Sequence, residues 1–165
     1  MFRIKADCRE EIEARVSQQD AYEWFRDHRN FVALLPSLES VTPERDGSLC
    51  WMLRADVPGI GVMRVPFRVT CTDAPPIRIE YAPALIERQN YLRCVASFTA
   101  IAPALTLIKI TQTLDLRRSN AKFLHVMAAV VGEARISAET QKQMALRLRE
   151  FLQAARKQLE TPPAP

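Results

Sequence analysis

From Phe2 to Val16 the chain alternates with a period of two. Phe2, Ile4, Ala6, Cys8, Ile12, Ala14 and Val16 are apolar, and Arg3, Lys5, Asp7, Arg9, Glu11, Glu13 and Arg15 are charged. Successive side chains of a strand point to opposite faces, so this predicts a strand with one face in a core and one in water. Glu10 alone breaks the phase, and a bulge or bend is expected there. Ser17, with Asp20 three residues on, predicts a helix start. A helix over Gln18 to about Asp27 follows, its bulkier face carrying Ala21, Tyr22, Trp24, Phe25 and His28. A second short helix carries Phe31, Val32, Leu34 and Leu35, and Pro36 stops it.

Strand patterns then follow one another without interruption. Leu38–Thr42 is joined to Leu49–Ala55 by a hairpin at Arg45-Asp46-Gly47-Ser48, where Asp-Gly supplies the positive φ such turns need. After a loop at Val57–Gly61, Met63 to Cys71 alternates, with Pro66 expected to mark an edge or bulge. Ile77–Tyr81, Leu92–Thr99 and Ile108–Leu116 complete the series, punctuated by Pro75-Pro76, Pro83 and Pro103. Ser119-Asn120 can cap an apolar helix over Ala121–Val131, with Gly132 as its stop. Finally Met144, Leu148, Phe151, Leu152, Ala155 and Leu159 recur at three and four residues, one stripe of a helix from Ser137 to Leu159. Such a rod is about 33 Å long and needs a broad surface to lie on. A strand, two short helices, about six hairpin-linked strands and a long helix predict an α+β layer structure, not alternating parallel units.

Composition narrows the classes further. The 165 residues suffice for one domain, expected over residues 1–160 with a flexible Pro-rich tail at 161–165. Hydrophobic residues at 48% and charged residues at 25% are ordinary for a soluble protein. The formal charge of +4 comes from 23 basic and 19 acidic residues that are interleaved, so no stripe for a nucleic-acid backbone is expected. No apolar h-region or bilayer-length apolar run occurs, and a cytoplasmic location is expected. Cys8, Cys50, Cys71 and Cys94 lie in separate strand patterns with no C-x-x-C pair, which predicts four reduced core thiols and no zinc site.

The order of these elements resembles the helix-grip fold of the START / polyketide cyclase-like (SRPBCC) superfamily. The resemblance rests on the charged strand to Val16, then Ser17-x-x-Asp20-Ala21-x-x-Trp24-Phe25, then Asn30-Phe31-x-x-Leu34-Leu35-Pro36 leading into Leu38-x-Ser40-Val41. Asp46-Gly47 before Trp51 and the amphipathic last helix also fit. The resemblance implies a curved antiparallel sheet of about seven strands wrapped on the long C-terminal helix, with a cavity between them. The superfamily holds lipid carriers, cyclases and quinone-binding proteins, so it implies no single activity.

No nucleophile elbow, phosphate loop or H-E-x-x-H is present. His28 and His125 have no partner at a useful spacing, so no catalytic residue is assigned. Arg54, Asp56, Glu80, Tyr81, Arg93 and Thr111 could each place a polar group in an apolar hollow, but alternation puts Arg54, Glu80 and Arg93 toward water. The expected cavity lining is Trp51, Phe67, Tyr81 and Phe98 on the sheet, with Met144, Leu148 and Phe151 on the helix. Core packing of the same residues would look identical in sequence. The leading expectation is a binding or carrier protein for a small hydrophobic molecule, with no cofactor and no metal. The alternatives are a cyclase/aromatase-type enzyme, with dehydratase-like chemistry, and an interaction module docking a protein partner or a second copy through residues 121–131.

Overall fold

The computed structural model describes residues 1–162; the rest of the expected tail, residues 163–165, lies outside the described residues. The described residues form seven strands: β1 (Phe2–Ala14), β2 (Leu38–Pro43), β3 (Leu49–Val57), β4 (Gly61–Ala74), β5 (Arg78–Pro83), β6 (Asn90–Ala102) and β7 (Leu105–Arg118). Helices α1 (Gln18–Arg26) and α2 (His28–Leu34) follow β1, while α3 (Ala128–Val131) and α4 (Glu133–Glu160) follow β7. The strands form one antiparallel sheet in the order β1-β7-β6-β5-β4-β3-β2. α4 touches both β1 and β3, which stand five positions apart in that order. Five strand spacings span about 24 Å, twice the roughly 10–12 Å width of a helix. The sheet must therefore curl around α4, and this is the helix-grip arrangement.

Local chemistry explains most boundaries. The Ser17 hydroxyl accepts the Asp20 N–H at 3.1 Å and starts α1. Asp27 accepts the Arg29 N–H at 3.0 Å and starts α2. Gly47 has φ +84° in the β2–β3 hairpin, where the Gly47 N–H reaches the Glu44 carbonyl at 3.1 Å. Phe2, Ile4, Ala6, Cys8 and Ile12 do share one face of β1, as their alternation requires.

Several sequence expectations are corrected. The β1–β7 register runs without a shift from Phe2↔Arg118 to Ala14↔Thr106, so Glu10 makes no bulge. It stands in phase with Cys8 and Ile12, where its carboxylate meets Arg149 of α4 at 3.0 Å. Pro66 makes no bulge but stands at a local edge, the other reading expected for it. It sits in unbroken register with Met52 of β3, at a point where β5, which pairs with β4 only from Val69 onward, leaves the other side free. The last helix starts at Glu133, not Ser137, because Gly132 at φ +86° ends the preceding turn.

The segment 121–131 is not one helix. It is a 3-10 turn over Ala121–Phe123, then the four-residue α3. The His125 ring accepts the Met127 N–H at 3.1 Å, and side-chain capture of a backbone donor competes with a helical ladder. Cys8 and Cys94 are buried, but Cys50 is half-buried and Cys71 exposed, so only two of the four free thiols belong to the core.

The grip also covers one edge of the sheet. β1 is an edge strand, and α4 side chains occupy its free edge. The N–H groups of Arg3, Lys5 and Asp7 donate to Glu133, Ser137 and Gln141 in turn; the last two distances are 3.3 and 2.6 Å. Gln141 also returns a hydrogen bond to the Asp7 carbonyl. Four helical residues advance about 6 Å and two strand residues about 6.7 Å, so the two repeats stay matched over the two steps that join these three contacts. The next helix position, Ala145, has no acceptor to offer. Further along, the Arg15 N–H donates to Glu160 at 2.8 Å.

Candidate functional site

The inner space of the grip has two unlike halves. In one, α1 and α2 push Phe25 and Phe31 between the sheet and α4. Phe31 stacks on Phe151 with ring centroids 4.9 Å apart and lies 5.8 Å from Trp51 and 6.0 Å from Tyr81. Trp51 and Tyr81 are 4.7 Å apart, and Phe25 lies 5.3 Å from Phe98. All of these rings are buried, and together they make an aromatic plug.

In the other half no aromatic side chain arrives from α1 or α2, and a hollow of about 310 Å³ remains. Its walls are Leu53–Asp56 of β3 and Gln112 and Leu114 of β7. Thr140, Gln143, Met144 and Arg147 of α4 form its roof, and Pro36 and Ser37 border it from the α2–β2 connection. A recess of about 50 Å³ shares Leu53, Arg54, Ala55, Leu114 and Thr140 with it. The recess is otherwise apolar, bounded by Val65, Phe67 and Ile136 among others. Gln143 bridges the helix to β3 by donating to the Asp56 carbonyl. The charges border the hollow as like-strength pairs: Arg147 lies 3.2 Å from Glu150, and Arg54 3.8 Å from Asp56.

Of the seven residues expected to line a cavity, Met144 borders the hollow and Phe67 the recess. Trp51, Tyr81, Phe98, Leu148 and Phe151 are instead within the packed core, each no more than 2% exposed. The difference has a simple cause. Strand alternation identifies the inward face, but not that α1 and α2 carry two phenylalanines into the space opposite it. Among the polar candidates, Arg54 and Asp56 are at the border of the hollow, with both side chains exposed and alternating with Leu53, Ala55 and Val57. Glu80 and Arg93 pair with each other at 2.6 Å on the opposite face of the sheet, and Thr111 is exposed.

Gln112 was missed. Its signal is visible in β7, where it breaks the inward row Ile108, Ile110, Leu114, Leu116. It is 4% exposed, and none of the described residues hydrogen-bonds its amide. In the sheet it stands between Cys8 and Cys94. Burial pushes these thiols up to about 11 and about 12 respectively, and burial also holds the Tyr81 phenol above its ordinary range. This inner row is therefore uncharged at neutral pH. Among the described residues no three His, Cys, Asp or Glu side chains converge as a metal site, and no helix is long and apolar enough to cross a membrane.

The arrangement is a START / polyketide cyclase-like fold, and solved structures share it at low sequence identity. BexL, a di-domain ARO/CYC from the BE-7585A biosynthetic pathway, is 18% identical with a TM-score of 0.63. The match covers 97% of this chain and 52% of BexL, so the chain spans about half that protein's length. A START superfamily protein from Mycobacterium smegmatis is 13% identical at a TM-score of 0.61, covering 93% of this chain and 98% of that one. The Zhui aromatase/cyclase from Streptomyces sp. R1128 is 13% identical at 0.63, covering 93% and 95%. No protein-family model matches the sequence, and no curated protein does.

Proposed function

We propose that this chain binds or carries a small hydrophobic molecule in the hollow beneath α4. The observation that supports the reading is the hollow itself: about 310 Å³, within the range of small-molecule sites, with an apolar inner recess and a polar border. Its size suits a compact ligand of one or two rings, or a short chain, better than a diacyl lipid. α1 and α2 contribute by plugging the far half, which confines a ligand to the β3–β7–α4 side.

A second reading, an enzyme of cyclase or aromatase type, draws on the fold shared with BexL and Zhui. In this reading the hollow would orient a substrate, and proton transfer would fall to Asp56 at its border, since the guanidinium groups of Arg54 and Arg147 keep their protons. Binding is the better supported reading, because the deep wall carries neutral side chains and a general acid or base must reach the reacting atom.

An environment-sensitive apolar fluorophore tests the proposal. The wild-type protein should take it up with a blue shift, and Met144→Trp, which fills the hollow from its roof, should abolish uptake while leaving stability within about 1 kcal/mol, because no packed neighbour has to move. Absence of uptake by the wild-type protein, or undiminished uptake by the variant, would place binding elsewhere or nowhere. Native mass spectrometry of protein purified from its own host should in addition show a retained apolar adduct.

A further inference from the structure

We infer that the ligand of this hollow carries an uncharged oxygen function, a hydroxyl or a ketone, at its deep end, and that Gln112 recognises it. The inference rests on the hollow being the binding site and names the chemistry of what enters it.

The argument starts from the cost of burying an amide. A primary amide taken out of water without a partner is destabilising by an amount comparable to a lost hydrogen bond. Gln112 reaches that position once the hollow is filled. The residue is 4% exposed and stands on the wall, and its amide is not among the buried atoms left without a partner. A ligand that displaces water from it must replace the water's hydrogen bonds. Its neighbours on the inner row of β7 are Ile110 and Leu114, and any of the apolar residues used there would fit the strand. The residues beside it in register, Cys8 and Cys94, are buried thiols. The free direction is into the hollow.

An amide presents both a donor and an acceptor. It can accept from a hydroxyl or donate to a ketone, and it carries no charge to balance a carboxylate or an ammonium. Nothing else at that depth supplies a charge. The cations and anions near the hollow stand at its border and are already paired, Arg147 with Glu150 and Arg54 with Asp56. A ligand ionised at its buried end would lose its hydration with no counter-charge to replace it. The apolar body of the ligand then lies toward Leu53, Ala55 and Leu114, which the hollow shares with the recess.

Three probes of one shape separate the possibilities: 2-naphthol, 2-methylnaphthalene and 2-naphthoate, each displacing the apolar fluorophore from wild-type protein and from Gln112→Met. The ratio of naphthol to methylnaphthalene affinity should fall about three- to tenfold in the variant, the worth of one buried hydrogen bond. Naphthoate should bind wild-type protein more weakly than naphthol. Gln112→Met should melt close to the wild-type temperature, because the amide faces the hollow and no bond to it from a described residue is lost.

A ratio unchanged within about twofold, set against the same hydrogen-bond worth, would overturn the inference while fluorophore uptake left the binding reading standing. Tighter binding of naphthoate than of naphthol would overturn it in favour of an anionic ligand. Failure of Gln112→Met to fold would also overturn it, since the amide would then hold a structural bond. If wild-type protein takes up neither the fluorophore nor any probe, the binding reading fails, and this inference with it.

Discussion

Asp115, on the outer face of β7, lies between two guanidinium groups. Arg3 reaches it with two bonds of 2.8 and 2.5 Å, and Arg117 with bonds of 3.1 and 2.8 Å. The Arg3 hydrogen bonds, supported by Arg117, hold its carboxyl at about 2, below the ordinary 3.8. A depressed value means that the carboxylate stabilises the fold above pH 3.8 and that this contribution is lost as pH falls toward 2. Asp115→Asn should therefore lose less stability than wild type between pH 3.8 and about 2, as read from denaturant melts at a series of pH values. Equal slopes would show that the cluster contributes nothing. Asp27, held at about 2 by Arg29, stays in the variant and keeps part of the acid sensitivity. The thiols differ as sharply. Cys71 is exposed, although partial burial raises its thiol too, whereas Cys8 and Cys94 are buried and pushed up to about 11 and about 12. A thiol reagent at pH 7.5 should label Cys71 first and Cys94 only on unfolding, with four thiols counted in denaturant. Fast labelling of Cys94 in the native protein would contradict its burial.

At the scale of elements, the pairing of β1 with α4 replaces a missing strand. An open strand edge is a template for aggregation, and the Glu133, Ser137 and Gln141 side chains cover it over Arg3–Asp7. Replacing all three with alanine should cost about 1–3 kcal/mol, a few hydrogen bonds partly compensated by water. The amides of Arg3, Lys5 and Asp7 should then exchange with solvent much faster, while those of β6 stay protected. Unchanged exchange at the three amides would mean that the ladder is not formed in solution. The ion pair between Glu10 and Arg149 continues the same seam, which accounts for an acidic residue on the helix-facing side of an otherwise apolar strand face.

For the molecule as a whole, α4 is both the core's largest apolar contributor and the roof of the hollow. It buries Ile136, Leu148, Phe151 and Leu152, worth roughly 6–12 kcal/mol as an upper estimate, comparable with the net stability of a domain. Truncation after Gly132 should leave a chain without a cooperative melt; a sharp transition in the truncated protein would refute this. The two halves of the interior can also be told apart by overfilling. Leu148 is 2% exposed, so Leu148→Trp should cost about 1–3 kcal/mol and leave fluorophore uptake unchanged if the variant is folded. Met144→Trp, one helical turn earlier, should do the reverse. Equal effects of the two substitutions would mean that plug and hollow are not separate.

Alternation alone decides that Phe2 to Ala14, Met63 to Cys71 and Leu92 to Thr99 are strands, because the period of two is a property of the extended backbone. The three-and-four spacing from Met144 to Leu159 likewise decides a helix with one apolar stripe, and Ser17 and Asp46-Gly47 decide a cap and a turn through bonds only a few residues long. The succession of these elements was enough to expect an open antiparallel sheet around a terminal helix. What stands opposite each apolar face is a different matter. Trp51 and Met144 read alike as inward residues, yet one packs against Phe31 and the other borders empty space. Whether space is filled depends on the summed volumes of side chains from α1, α2, the sheet and α4, segments more than a hundred residues apart. The same holds for Glu133, Ser137 and Gln141, ordinary solvent-side positions until β1 is laid beside them. It holds for Gln112 too, which the sequence presents as a lapse in a pattern and the tertiary structure turns into a buried amide facing a hollow.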